Sequence, residues 1–142
     1  MKTIMDTVIG IPPKPVTALL RLDGLAVGIA AIVAFAMTGG NWWLFALLIL
    51  APDLAFLAMP LGTRRAAMTY NFVHSYTWPV ILIGAGLLTT VGWLLPVGLI
   101  WAAHIGVDRA VGYGLKYPES IETTHLGLIG KARKAAQRAN AG

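Results

Sequence analysis

The chain has no cysteine among its 142 residues. Disulfides, iron–sulfur clusters and thiolate catalysis are therefore excluded, and a metal ion would have to bind through oxygen or imidazole nitrogen. Charge is also scarce, because charged residues make up only 12% of the sequence, against about a quarter in ordinary soluble domains. Hydrophobic residues make up 57%, and the mean hydropathy is +0.71. This composition indicates an integral membrane protein.

Four apolar runs are each long enough to cross a bilayer, which takes about 20 residues of α-helix. We predict an all-α fold, a single antiparallel up-down-up-down bundle of four transmembrane helices, with no room for a second globular domain. The predicted helices span 16–37, 42–61, 66–89 and 91–111. Residues 1–15 are predicted to be an N-terminal arm rather than a cleavable signal, because three prolines interrupt them. Residues 112–142 are predicted to be a basic tail.

The basic residues are distributed asymmetrically along the chain. All eleven lie near its two ends or in the loop after the second predicted helix, and the first and third loops contain none. The positive-inside rule then makes that side cytoplasmic and places both termini there. The net charge of +5 is explained if the basic tail is attracted to anionic membrane lipid. We therefore expect membrane lipid as a partner and no nucleic acid.

Several ionisable residues stand inside these apolar runs, where a charged side chain costs about 3 kcal/mol or more. At about 1.5 Å per residue, Asp53 lies about 16 Å along its helix from the basic loop and His74 about 14 Å. His104 and Asp108 are spaced i,i+4 and share one helix face. These four residues are predicted to converge in the cytoplasmic half of the bundle. Asp23 is instead assigned to packing or to an ion pair with a neighbouring arginine.

Two imidazoles and two carboxylates form a ligand set suited to a divalent Zn, Mn, Fe or Mg ion. We predict metal ligation by Asp53, His74, His104 and Asp108, with Asp53 or Asp108 as the catalytic base. Tyr70 and Asn71 lie on the same helix face as His74 and are predicted to contact the cofactor. A bound metal would activate water, and the expected reaction is hydrolysis of a lipid or lipid-linked substrate.

Two other functions remain open from the sequence. His74 and His104 on adjacent helices could ligate a haem iron. Alternatively, the polar residues serve a non-enzymatic lipid or small-molecule binder, a carrier protomer or an accessory subunit. This last function predicts a homo-oligomer or a partner membrane subunit, because four short helices make a narrow bundle.

Small residues recur at every fourth position on two of the predicted helices. Gly24 and Gly28 form one such step, and Gly98, Ala102 and Gly106 form the other. Such spacing allows close contact between membrane helices. On the fourth predicted helix this face is roughly opposite His104, so one side is predicted to pack while the other presents polar groups.

Several sequence blocks together resemble domain-of-unknown-function family 4260, a family of small bacterial membrane proteins. The resemblance covers roughly residues 19–127, and its blocks are 20–25, 42–48, Ala51-Pro52-Asp53-Leu54, 70–76, 101–109, 112–118 and Thr124-His125-Leu126-Gly127. It implies a four-helix protein of the bacterial inner membrane and implies no activity. A weaker likeness, to bacterial inner-membrane metal-dependent hydrolases, rests on Pro52-Asp53, His74-Ser75 and the His104/Asp108 pair. It implies metal-dependent hydrolysis, although Thr69-Tyr70-Asn71 stands where those hydrolases have a His-Arg pair.

Overall fold

The computed structural model describes residues 12–139 and residue 141. Most of the predicted N-terminal arm therefore lies outside the described residues. The chain is mostly helical, with a small sheet near its C-terminus. In order, the elements are α1 (Lys14–Met37), α2 (Trp42–Leu48), a 3-10 helix (Ala51–Leu61), α3 (Thr63–Val73), α4 (Thr77–Leu88), α5 (Leu94–Val111), β1 (Lys116–Tyr117), β2 (Ser120–Thr124), β3 (Gly127–Leu128) and α6 (Gly130–Ala139).

α5 is the central helix and packs against α1, α4 and α2. Its contact with α1 is very close, since a Cβ atom built on Gly106 would lie 2.5 Å from the Gly28 backbone nitrogen and 2.7 Å from the Gly24 carbonyl oxygen. A Cβ on Gly98 would likewise lie 2.9 Å from Ile83 of α4. The predicted small-residue faces are thus confirmed as helix contacts.

Three stretches of the described residues are long and apolar enough to cross a membrane: Lys14–Met37, Trp42–Leu61 and Leu94–Val111. Large apolar side chains of α1, including Leu19, Leu22 and Ile29, are more than half exposed. Such a surface matches lipid better than water. The chain thus has the features of a membrane protein.

The predicted third span, 66–89, is not one helix. It is divided between α3 and α4 by a turn at His74–Tyr76. Pro79 explains the break, because its ring would clash with the carbonyl of residue 75 in a continuous helix. Pro79 lies in the first turn of α4, where its missing N–H would have no helical partner in any case. The N–H of Thr77, in the same turn, donates to Ser75 Oγ at 3.3 Å.

The predicted second span, 42–61, is also divided. α2 ends at Leu48, and after a turn the chain continues as an 11-residue 3-10 helix. Pro52 has no N–H to bond the Leu48 carbonyl, which ends the α-helix there. A 3-10 helix of this length is uncommon and often marks a functional segment. Asp53 lies in its first turn.

The predicted basic tail contains a small sheet, so the fold is mostly helical and not all-α as predicted. β1, β2 and β3 form an antiparallel sheet in that order, and β1 and β2 pack against α3. Asn71 anchors this packing with two hydrogen bonds to the backbone of Lys116: its Nδ2 donates to the carbonyl at 2.8 Å, and its Oδ1 accepts from the N–H at 2.7 Å. The tail is therefore attached to the helix that carries His74.

Replacing Gly106 with alanine tests the contact between α1 and α5. The added methyl group would overlap the α1 backbone, and such overpacking costs about 1–3 kcal/mol, occasionally more. We expect Gly106→Ala to lower the unfolding free energy of detergent-purified protein, measured by denaturant titration. Gly84→Ala in α4 is the matched control, since a Cβ there meets no atom within 4 Å. An equal loss in both variants would contradict the close contact.

Candidate metal centre

Four ionisable side chains from three segments meet at one point in the fold. His74 Nε2 lies 3.1 Å from His104 Nε2, 3.7 Å from Asp53 Oδ1 and 3.5 Å from Asp108 Oδ2. His104 Nε2 lies 3.5 Å from Asp53 Oδ1 and 3.6 Å from Asp108 Oδ2. All four atoms lie within 4.8 Å of one another. The structure thus brings together the four residues that the sequence predicts as ligands.

Five of the six separations among these atoms approach those of a tetrahedron around a small ion. Bonds of about 2.0–2.1 Å to nitrogen and oxygen, as Zn²⁺ forms, place neighbouring ligand atoms about 3.3–3.4 Å apart. The five separations that involve a histidine nitrogen are 3.1–3.7 Å, and the two carboxylate oxygens lie within 4.8 Å of each other. The carboxylates are therefore the ligands that would have to adjust around an ion.

Three different local features place the four ligands. His104 and Asp108 project one turn apart from the continuous helix α5. His74 is the residue that follows the last turn of α3, and Asp53 begins the 3-10 helix. Both helix breaks thus deliver a ligand, and both follow from a nearby proline.

The histidine at the end of α3 is oriented by its own helix. His74 Nδ1 lies 2.9 Å from the Tyr70 carbonyl oxygen, which fixes the proton on Nδ1 and leaves the Nε2 lone pair facing the other ligands. The Tyr70 ring stacks on the imidazole with centroids 3.7 Å apart and planes at 10°. The Tyr70 hydroxyl donates to Asp108 Oδ2 at 3.2 Å. Tyr70 therefore supports two of the four ligands.

Two side chains of α5 satisfy the carbonyls that α3 leaves free. Trp101 Nε1 donates to the Val73 carbonyl at 2.7 Å, and Arg109 Nη2 donates to the His74 carbonyl at 3.1 Å. Buried carbonyls without partners are costly in apolar surroundings. These bonds therefore stabilise the break and fix the position of the His74 backbone.

Burial differs among the four ligands. The side chains of His74 and His104 are 2% and 5% exposed, and that of Asp108 is 19% exposed, whereas that of Asp53 is 38% exposed. Three ligands thus belong to the packed interior, and Asp53 is the one most able to move.

Two buried cations adjoin the centre. Arg109 contacts the His74 backbone, as described, and Lys116 Nζ lies 4.4 Å from the centroid of the Tyr70 ring while donating to the Ile121 carbonyl at 3.1 Å. Burial lowers the pKa of Lys116, although Asp108 and Glu122 act in the opposite direction. In the described part of the chain, neither cation forms an ion pair with a carboxylate.

Other predicted residues have different positions from those expected. Asn71 holds the tail and is not among the clustered side chains, whereas Tyr70 contacts the ligands rather than the centre itself. Among the described residues Asp23 takes part in no ion pair, and Arg21 Nε donates to the Ala110 carbonyl at 2.8 Å. Of the two roles expected for Asp23, packing or an ion pair with Arg21, the ion pair is therefore not formed.

Sequence reasoning missed Trp101, Arg109 and Lys116 as parts of the centre. Trp101 precedes His104 by three residues and Arg109 follows Asp108, so the helical spacing placed Trp101 near the His104 face. The position of Lys116 depends on the folded tail, and the sequence offers no comparable signal for it.

The comparisons with known proteins identify a family. Residues 17–129 match the family described as Domain of unknown function (DUF4260). The chain belongs to this family. The match includes all four clustered residues and ends one residue after β3. No curated protein and no solved structure matches this chain.

The attachment of the tail is expected to depend on pH through His125. Its Nδ1 accepts from the Leu115 N–H at 2.8 Å, and Arg109 Nη1 lies 3.2 Å from the ring. Burial lowers the pKa of His125, and Arg109 lowers it further, whereas a backbone hydrogen bond raises it. Because the folded-state pKa lies below the ordinary value of about 6.5, the unfolded state binds more protons, and stability decreases as pH falls through that value.

We therefore expect the protection factors of the amides in residues 113–126, which correct hydrogen exchange for its intrinsic pH dependence, to decrease below about pH 6.5. In His125→Asn the side-chain oxygen can still accept from Leu115 but does not titrate in this range, so most of the added acid sensitivity should disappear. An identical acid response in both proteins would contradict a role for His125.

Proposed function

We propose that this protein binds a divalent transition metal ion, Zn²⁺ above all, at Asp53, His74, His104 and Asp108. The observation that supports this most strongly is the convergence of two imidazole nitrogens and two carboxylate oxygens within 4.8 Å of one another. Mg²⁺ prefers six oxygen ligands and Ca²⁺ six to eight, which this set does not offer. A mixed set of imidazole and carboxylate ligands is instead typical of Zn²⁺.

We further propose that the centre is catalytic, and that it hydrolyses an ester or phosphoester of a membrane lipid. Catalytic zinc sites keep three protein ligands and leave the fourth position to water. His74, His104 and Asp108 are the three more deeply buried ligands, and the more exposed Asp53 can yield its position. Asp53 would then accept the proton of the attacking water, and the departing alcohol would receive it.

The alternative of a haem is less well supported by the geometry. A bis-histidine haem iron lies between two imidazoles, with the porphyrin plane separating them. Here Asp53 Oδ1 lies 3.7 Å from His74 Nε2, and Asp108 Oδ2 lies 3.6 Å from His104 Nε2. The porphyrin would have to occupy the space of these carboxylates.

We propose, from the distribution of basic residues, that the protein spans the bacterial inner membrane with its tail on the cytoplasmic side. α6 fits this orientation, since its ten residues include Lys131, Arg133, Lys134 and Arg138 and no acidic residue. Such a helix is attracted to anionic lipid headgroups.

Metal analysis of detergent-purified protein tests the centre. We expect one zinc ion per chain after equilibration with zinc and desalting, and loss of the ion in His104→Ala and His74→Ala, since each removes a buried ligand. His125→Asn is the matched control, because it alters the third histidine, outside the cluster, and should retain the ion. Absence of zinc from the unmodified protein, or its retention in both ligand variants, would contradict the proposal.

A second prediction concerns Tyr70, which supports the ligands without joining them. Tyr70→Phe removes the hydroxyl bond to Asp108 but keeps the ring that stacks on His74. Loss of such an outer partner weakens metal affinity about 10-fold or more. Competition with a chromogenic chelator measures this, and Tyr113→Phe, which changes an exposed tyrosine of the tail, is the control. Equal zinc affinities in all three proteins would show that the Tyr70 hydroxyl does not support the centre.

A further inference from the structure

An apolar groove lies directly beside the four clustered residues. Its volume is about 260 Å³, and its lining includes Leu48, Pro52, Val73, Ile100 and Trp101. Ligand pockets usually hold roughly 300–1,000 Å³, so this groove has room for part of a molecule rather than for a whole large ligand. Its lining offers apolar surface and few polar groups.

The groove and the centre are built from the same chain segments. Pro52 directly precedes Asp53, Val73 directly precedes His74, and Trp101 lies one helical turn before His104. Each of the three segments that carry a ligand therefore also contributes a residue to the lining of the groove. The breaks after α2 and α3 leave this space, because neither helix continues past it.

The Tyr70 side of the centre is covered by the tail. Lys116 and Ile121 cover Tyr70 and Phe56, and the gap left among them is about 10 Å³. This is at the lower limit for holding a single water molecule, about 10–15 Å³. A substrate can therefore approach more readily along the groove than through the tail.

The groove lies between two candidate membrane spans, Trp42–Leu61 and Leu94–Val111. Its surroundings are then lipid acyl chains rather than water. The charge around the centre favours an anion, because two carboxylates balance a divalent ion while Arg109 and Lys116 form no ion pair with a carboxylate among the described residues. A phospholipid combines these two properties, an apolar chain and an anionic phosphate.

We propose that the groove binds an acyl chain of a membrane phospholipid and directs its phosphate to the metal centre, which makes a phospholipid the substrate. This inference rests on the proposed metal site and names its substrate class. It also implies that the substrate enters sideways from the bilayer.

Photocrosslinking in vesicles tests the proposal. Zinc-loaded full-length protein is reconstituted in phosphatidylcholine vesicles that contain a small fraction of phosphatidylcholine with a diazirine in its acyl chain. After irradiation, labelled peptides are mapped by mass spectrometry. We expect labelling of Val97 and Trp101 to exceed that of the exposed α1 residues Leu22 and Val33 several-fold, because a bound chain stays in the groove longer than annular lipid stays on the surface.

Two substitutions fill the groove from different sides. Ala51→Trp and Val97→Trp each place a large ring among the lining residues, and both should abolish the excess labelling while zinc content stays unchanged. Ala30→Trp, on an exposed position of α1 outside the groove, is the matched control and should leave the labelling as it was. Excess labelling that survives in both groove variants would overturn the proposal.

Competition between lipids distinguishes binding of the phosphate from binding of the acyl chain. The host phosphatidylcholine competes with the labelled lipid for the groove, whereas diacylglycerol, which lacks the phosphate, should compete several-fold less well. Replacing part of the host lipid with diacylglycerol should therefore raise the groove labelling, and the rise should vanish in zinc-free His104→Ala. Equal competition by both lipids in the zinc-loaded protein would overturn the role of the phosphate. A protein that binds zinc without excess labelling fails this inference alone, whereas one that binds no zinc fails the proposed function itself.

Discussion

The centre depends on one constraint: the backbone carbonyl groups of Val73 and His74 need hydrogen-bond donors. A helix that ends among apolar side chains leaves these groups without partners, and no water is at hand to satisfy them. Trp101 and Arg109 of α5 supply the missing donors. Because α5 also carries His104 and Asp108, the same helix that stabilises the end of α3 holds half of the cluster. The position of His74 relative to His104 and Asp108 is therefore fixed by hydrogen bonds from the two α5 donors to backbone carbonyls, and not by bonds between the ligands.

The sequence predicted the cluster better than the helices that carry it. The i,i+4 spacing of His104 and Asp108, and the similar depth of Asp53 and His74, were enough to bring four residues together. A rule based on apolar length, however, treats each run as uniform, and membrane helices tolerate proline often enough that Pro52 and Pro79 gave no decisive signal. The folded tail was missed because strands of two to five residues carry too little periodicity. For the same reason Asn71, which holds β1, was interpreted as a cofactor contact.

The differences in burial among the four residues bear on what the centre can do. A site that held all four ligands equally rigidly would suit a structural ion. Here the two histidines and Asp108 lie among packed helices, whereas Asp53 lies on a 3-10 helix whose hydrogen bonds have poorer geometry than those of an α-helix. The apolar groove is lined in part by Ala51 and Pro52 of this same segment. The most exposed ligand thus belongs to the segment that borders the groove.

The spacing of the ligands along the chain has a consequence for folding. His74 and His104 are 30 residues apart, and no cysteine is present to join distant segments. An ion held by both would close a long loop and remove many conformations from the unfolded chain, as a disulfide does. It would act as a cross-link between two helical hairpins. In such a chain, metal supply would govern assembly in the membrane as well as chemistry.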